Sequence, residues 1–132
     1  METLKINIQS IEKPARFLLG AIFLFSSLNY FFDLLKMPEM SMAAHLFFSS
    51  IVKTNYLMGV IKSIEFVVAI LFLINRYVFQ ATLLILPIII NIFLFHLFLD
   101  LPGLALAVVL VILVLVIALS KKNRYLDLFK EE

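Results

Sequence analysis

The sequence predicts an all-α membrane fold, a polytopic four-transmembrane-helix bundle with an amphipathic interfacial helix between helices 1 and 2. Three observations lead there. Hydrophobic residues make up 64% of the chain and charged residues only 15%, against roughly half and a quarter in soluble domains. Four stretches each supply the about 20 mainly apolar residues needed to cross roughly 30 Å of hydrocarbon at about 1.5 Å per residue. The links joining the last three stretches are too short for anything but antiparallel neighbours.

The first span is expected over 16–35, with Pro14 suited to the first helical turn, where its missing N–H is no loss. A basic lead-in before an apolar run also fits a secretory signal. The apolar core at 17–32 is longer than a usual signal core, however, and no A-x-A-like step follows it, so a retained helix is expected. The only long connection is 36–55. In it Ser41, His45, Ser49 and Lys53 recur every four residues, while Met42, Ala43, Leu46, Phe47 and Ile51 fill the opposite side. That pattern predicts an amphipathic helix over about 39–54, lying in the interface or capping the bundle. The remaining spans are expected at 56–74, 77–99 and 101–120, with tight turns around Asn75-Arg76 and at 100–103. Residues 1–132 read as a single membrane domain.

Composition also excludes functions. There is no cysteine, so disulfides, thiolate metal sites and thiol-based redox chemistry are ruled out. A net charge of +2 with scattered basic residues gives no nucleic-acid surface. Gly-rich phosphate loops, H-E-x-x-H and G-x-S-x-G are absent. Any chemistry belongs inside the bilayer or on a partner.

Orientation follows from the basic residues near the span ends. Lys5, Lys13, Arg16, Arg76, Lys121, Lys122, Arg124 and Lys130 fall on one side, and only Lys36 and Lys53 on the other. That bias predicts cytoplasmic N and C termini.

The informative residues are those that do not suit a membrane, because an ionisable side chain at a helix centre costs about 2.5 to 3.5 kcal/mol on insertion scales. The second span holds two, Lys62 and Glu65, whose three-residue spacing puts them on one face within reach of each other. Counting about 1.5 Å per residue from the non-cytoplasmic side places Glu65 about 13 Å deep, Asn91 about 12 Å, and Lys62 and Asn29 about 9 Å. Asn29, Lys62, Glu65 and Asn91 would then share a layer, with His96 and Asp100 nearer the mouth, and Ser26 and Asp33 on the face of Asn29. Such a layer reads in two ways. It is a polar pocket for the head group of a lipid-soluble ligand or for a proton, or it is a hydrogen-bonded clamp between helices, worth about 0.6 to 2 kcal/mol per bond.

Pro87 in mid-helix should free the Leu83 carbonyl and kink the third span. His45 and His96, the only histidines, sit on different elements and do not predict a haem or metal site. Gly59 and Ser63 form a small-xxx-small step suited to a tight helix contact.

Taken in order, Ala15-Arg16-Phe17-Leu18-Leu19-Gly20, Ser27-Leu28-Asn29-Tyr30-Phe31, Lys62-x-x-Glu65, Pro87-Ile88-Ile89-Ile90-Asn91 and Phe95-His96-Leu97-Phe98 resemble the DoxX family of small bacterial membrane proteins over about residues 14–120. The resemblance implies a bacterial inner-membrane protein of four helices, associated with quinone-linked or other membrane redox complexes. Its characteristic positions would be Arg16, Gly20, Asn29, Glu65, Asn91 and His96. Two departures stand out, Ser27 where a glycine is expected and Val67-Val68-Ala69 where a Gly-rich step is expected.

The expected role is thus an accessory subunit of a membrane redox system. In it Asn29, Lys62, Glu65, Asn91 and His96 would serve a lipid-soluble ligand such as a quinone, and Arg16, Gly20 and Pro87 would set topology and packing. The expected partners are the lipid bilayer, other membrane proteins or redox enzymes, and a second copy of the chain. An assembly factor or purely structural subunit is the alternative, and a small transporter or proton path the second alternative.

Overall fold

A computed structural model describes the backbone of residues 2–130 and the side chains of residues 8–130; Lys5, one of the basic residues used for orientation, lies outside the described side chains. Six α-helices follow one another with no strand among the described residues: α1 (Glu2–Phe32), α2 (Met42–Lys53), α3 (Leu57–Ile74), α4 (Val78–Leu99), α5 (Leu104–Ser120) and α6 (Lys122–Leu128). Four of them, α1, α3, α4 and α5, contain stretches long and apolar enough to cross a bilayer. The protein is an α-helical membrane bundle.

The helices close into a square. α1 packs on α3 and α5, and α4 packs on α3 and α5, so every neighbour is antiparallel. The core is built from heptad-like steps that put one stripe of each helix inward: Ala15, Leu19 and Phe23 of α1, Val68, Ala69 and Phe72 of α3, Ala81, Ile85 and Ile89 of α4, and Leu110, Val114 and Ile117 of α5. The other faces carry large exposed apolar side chains such as Phe25, Val67, Leu84 and Ile112, as lipid contact requires.

Several elements differ from their predicted limits, each for a local reason. α1 does not begin at Pro14 but runs through it from Glu2. The added length is tied to the end of α5 by Gln9, whose Nε2 donates to the Ser120 carbonyl at 3.1 Å. At its other end α1 stops at Phe32 rather than residue 35. Asp33 turns left-handed at φ 51°, and the Asn29 side chain draws in the next turn by accepting the Leu35 N–H at 2.6 Å. The interfacial helix is shorter than predicted, Met42–Lys53, because Ser41 caps it by accepting the Ala44 N–H at 3.1 Å. Ala44 is its buried residue, while Met42 and Leu46 are exposed.

The turn between α3 and α4 is made by two left-handed residues, Asn75 at φ 56° and Tyr77 at φ 51°. Asparagine tolerates that conformation well. The turn between α4 and α5 is a 3-10 turn, Leu101–Gly103. A Cβ at Gly103 would lie 2.2 Å from the His96 ring, so only glycine lets that ring fold beneath the turn.

The predicted close contact at Gly59 and Ser63 is not formed: nothing approaches within 4 Å of a Cβ placed on Gly59. Close approach occurs at Gly20 instead, where a Cβ would meet the Ala69 carbonyl at 3.3 Å and Leu73 at 3.2 Å. The reason is register: Gly20 and Ala69 lie on the facing stripes of α1 and α3, whereas Gly59 sits toward the end of α3, off that seam. Pro87 lies on the exposed face of α4, and the helix continues on both sides of it.

Candidate functional site

The polar centre of the bundle joins α1 and α3. Lys62 and Glu65 lie one turn apart on α3, and the α1–α3 seam turns both toward Ser26. Lys62 Nζ donates to Ser26 Oγ at 2.8 Å and to Glu65 Oε2 at 3.0 Å, and Ser26 Oγ lies 3.3 Å from the same carboxylate oxygen. Glu65 is 2% exposed, while the Lys62 side chain retains 16%. Carboxylate and ammonium thus neutralise each other across a hydrogen-bonded triangle, the arrangement that makes a buried charge pair tolerable.

The triangle leaves capacity unused. An ammonium has three N–H donors, and Lys62 directs one to Ser26 and one to Glu65. Among the described residues no side chain donates to Glu65 Oε1. The cluster therefore keeps one donor and one acceptor without a partner among the described residues, the ammonium on its partly open side.

The other sequence-predicted residues are placed elsewhere. Asn29 is spent on the end of α1, accepting from Leu35. Asn91 lies on the exposed face of α4, away from the core stripe of Ile85 and Ile89, and makes no hydrogen bond among the described residues. Equal depth is thus not a shared site: the estimate fixed height along each helix, but rotation about each axis decides which side chains meet. His96 belongs to the α4–α5 turn, with Nδ1 3.2 Å from Asp100 Oδ2 and 3.2 Å from the Asp100 carbonyl oxygen. Its ring also packs edge-on to Phe95, centroids 5.0 Å apart, and Phe95 in turn meets Phe47 of α2 at 5.5 Å. Ser41 Oγ donates to the Leu99 carbonyl, a second tie between the interfacial helix and that turn. Among the described residues no three His, Cys, Asp or Glu side chains gather as a metal site.

A second buried charge lies at the opposite end of α3. Arg16 is 3% exposed. Its Nε donates to Glu12 Oε1 at 3.0 Å, and its Nη1 donates to the Phe72 carbonyl at 2.5 Å. A cation is favoured where the last carbonyls of a helix are unpaired and the helix dipole is negative, so Arg16 of α1 caps the C-terminus of α3. Sequence reasoning gave Arg16 a role in topology and packing but missed its partner Glu12, although the i, i+4 acid–base spacing signalled the pair. It likewise placed Ser26 beside Asn29 rather than beside Lys62, since only the α1–α3 register selects between those neighbours.

α6 closes the same end. The Phe79 ring of α4 receives Tyr125 at 4.7 Å between centroids and the Arg124 guanidinium at 4.6 Å. The Tyr125 hydroxyl is buried without a hydrogen-bond partner, and burial raises its pKa above the usual 10.0. The nearby Thr82 hydroxyl donates to the Val78 carbonyl at 2.7 Å.

No family model, curated protein or solved structure matches this chain.

Proposed function

We propose that this protein is an accessory integral-membrane subunit of a DoxX-like kind, serving a quinone-linked redox system in a bacterial inner membrane with both termini in the cytoplasm. Its polar element is the Ser26–Lys62–Glu65 triangle. The observation that carries the reading is chemical: a buried carboxylate and a partly open ammonium share one site in an apolar bundle and keep one acceptor and one donor unused. A carbonyl oxygen accepts from an ammonium and a hydroxyl donates to a carboxylate, so both oxidation states of a quinone head group find a partner there. The apolar α1 and α3 surfaces around the triangle suit an isoprenoid tail. In this reading Asn29, Asn91 and His96 do not touch the ligand.

The second reading, a structural or assembly subunit, draws on Asn91. A carboxamide on the exposed face of α4 without a partner is a natural contact for a helix of another membrane protein or a second copy. Here the triangle serves only to clamp α1 to α3.

The protein purified in mild detergent, with Glu65→Gln as control, separates the two. Absorbance and mass spectrometry of an organic extract are expected to find a quinone in the wild type and none in the variant. An extract containing only bulk lipid in both would discard the ligand site and leave the structural reading.

A further inference from the structure

The cytoplasm-predicted end of the bundle carries a groove that the triangle does not explain. It has a volume of about 450 Å³ and is lined by Asn75, Tyr77 and the first turn of α4 on one side and by Lys121 and Arg124 on the other. No carboxylate lines it. Neither cation has an acidic partner among the described residues, where the ion pairs are those of Arg16, Lys62, His96 and Lys130. Arg124 is nonetheless not a loose surface side chain, because it is held over the Phe79 ring at 4.6 Å. Two unneutralised cations, one of them fixed by an aromatic face, therefore look into one concavity.

The surroundings state what the concavity would take. The backbone N–H groups of Val78, Phe79 and Gln80 precede the first bonded amide of α4, Ala81 to the Tyr77 carbonyl, and no side chain caps them. They add directional donors beside the two cations, which carry the argument. The groove lies at the level where two spans end, Ile74 of α3 and Ser120 of α5, with the tyrosines 77 and 125 around it, a depth occupied by lipid head groups. One turn deeper on the face of Gln80, Leu84 is 52% exposed, an apolar surface on which an acyl chain continues inward.

We propose that this groove binds a phosphate monoester or diester group, supplied by the head group of an anionic phospholipid. Lys121 and Arg124 neutralise the phosphate, the α4 amides orient it, and the glycerol and acyl chains follow α4 toward Leu84. The site is independent of the quinone reading, which lies at the other end of α3 from Lys121 and Arg124.

The test uses the full-length protein in mild detergent, titrated with short-chain phosphatidylglycerol, short-chain phosphatidylcholine or inorganic phosphate. Bound lipid is counted by native mass spectrometry, and thermal stability is followed in parallel. Phosphatidylglycerol is expected to bind at one molecule per chain at least tenfold more tightly than phosphatidylcholine. The double variant Lys121→Gln, Arg124→Gln should lose that preference, while Lys122→Gln, Lys130→Gln, which alters two cations outside the groove, should keep it. Saturable phosphate binding that competes with phosphatidylglycerol and is lost in the same double variant would retain the site but assign it to the free anion. Equal binding of the two lipids, or equal loss in both double variants, would overturn the proposal and leave only diffuse attraction to a charged surface.

Discussion

At the scale of single residues the structure turns on a few polar atoms whose partners decide their worth. Lys62 and Glu65 are costly separately and tolerable together, so the pair should show strong coupling. Lys62→Met is expected to destabilise the protein by about 2 kcal/mol, because it leaves the Glu65 carboxylate without its cation, and Glu65→Leu by a similar amount. The double variant should lose less than the sum, as read from unfolding in mixed detergent; strict additivity would mean that the two groups do not interact. Gly103 is the steric counterpart. Gly103→Ala drives a methyl group into the His96 ring and is expected to lower stability by about 1 to 3 kcal/mol. His96→Ala in the same chain should recover most of that loss, whereas no recovery would place the strain in the backbone of the turn.

At the scale of elements, three helix ends are closed by a group from elsewhere in the fold: the C-terminus of α3 by Arg16 of α1, that of α4 by Ser41, and that of α5 by Gln9. The docking of α6 is the element most open to pH. Burial favours the neutral Tyr125 phenol, so its pKa lies above 10.0 in the folded protein and returns toward that value when α6 detaches. The folded state then binds more protons than the unfolded one between those two values, and stability falls as pH rises above 10. A melting series from pH 8 to pH 11.5 should show this alkaline loss, and Tyr125→Phe should flatten it. An unchanged alkaline slope in the variant would assign the loss to other groups.

At the scale of the whole molecule, the square of antiparallel helices puts the N-terminal part of α1, the α3–α4 turn and α6 at one end, and α2 with the α4–α5 turn at the other. The basic residues concentrate at the first end, which predicts that it faces the cytoplasm. The chain has no cysteine, so single replacements report without background. In intact cells Met37→Cys is expected to react with an impermeant thiol reagent, and Asn123→Cys only after permeabilisation. The reverse pattern would invert the topology and move the groove of Lys121 and Arg124 to the opposite leaflet.

Much of the architecture was legible in the sequence, and the reason is the bilayer itself. Its thickness sets the length of every span and its low polarity makes each span readable as an apolar run, so four helices, their approximate limits and the interfacial helix followed without tertiary information. The i, i+3 pairing of Lys62 with Glu65 was legible too, since it lies within one helix. Which groups meet between helices was not. Ser26 rather than Asn29 joins the pair, Asn91 turns outward, Gly20 rather than Gly59 makes the close contact, and Arg16 caps α3. Each of those depends on how far a helix is rotated and slid against its neighbour. Among nearly uniform apolar faces, interlocking side-chain shape decides rotation and register, and that shape exists only once the helices have packed.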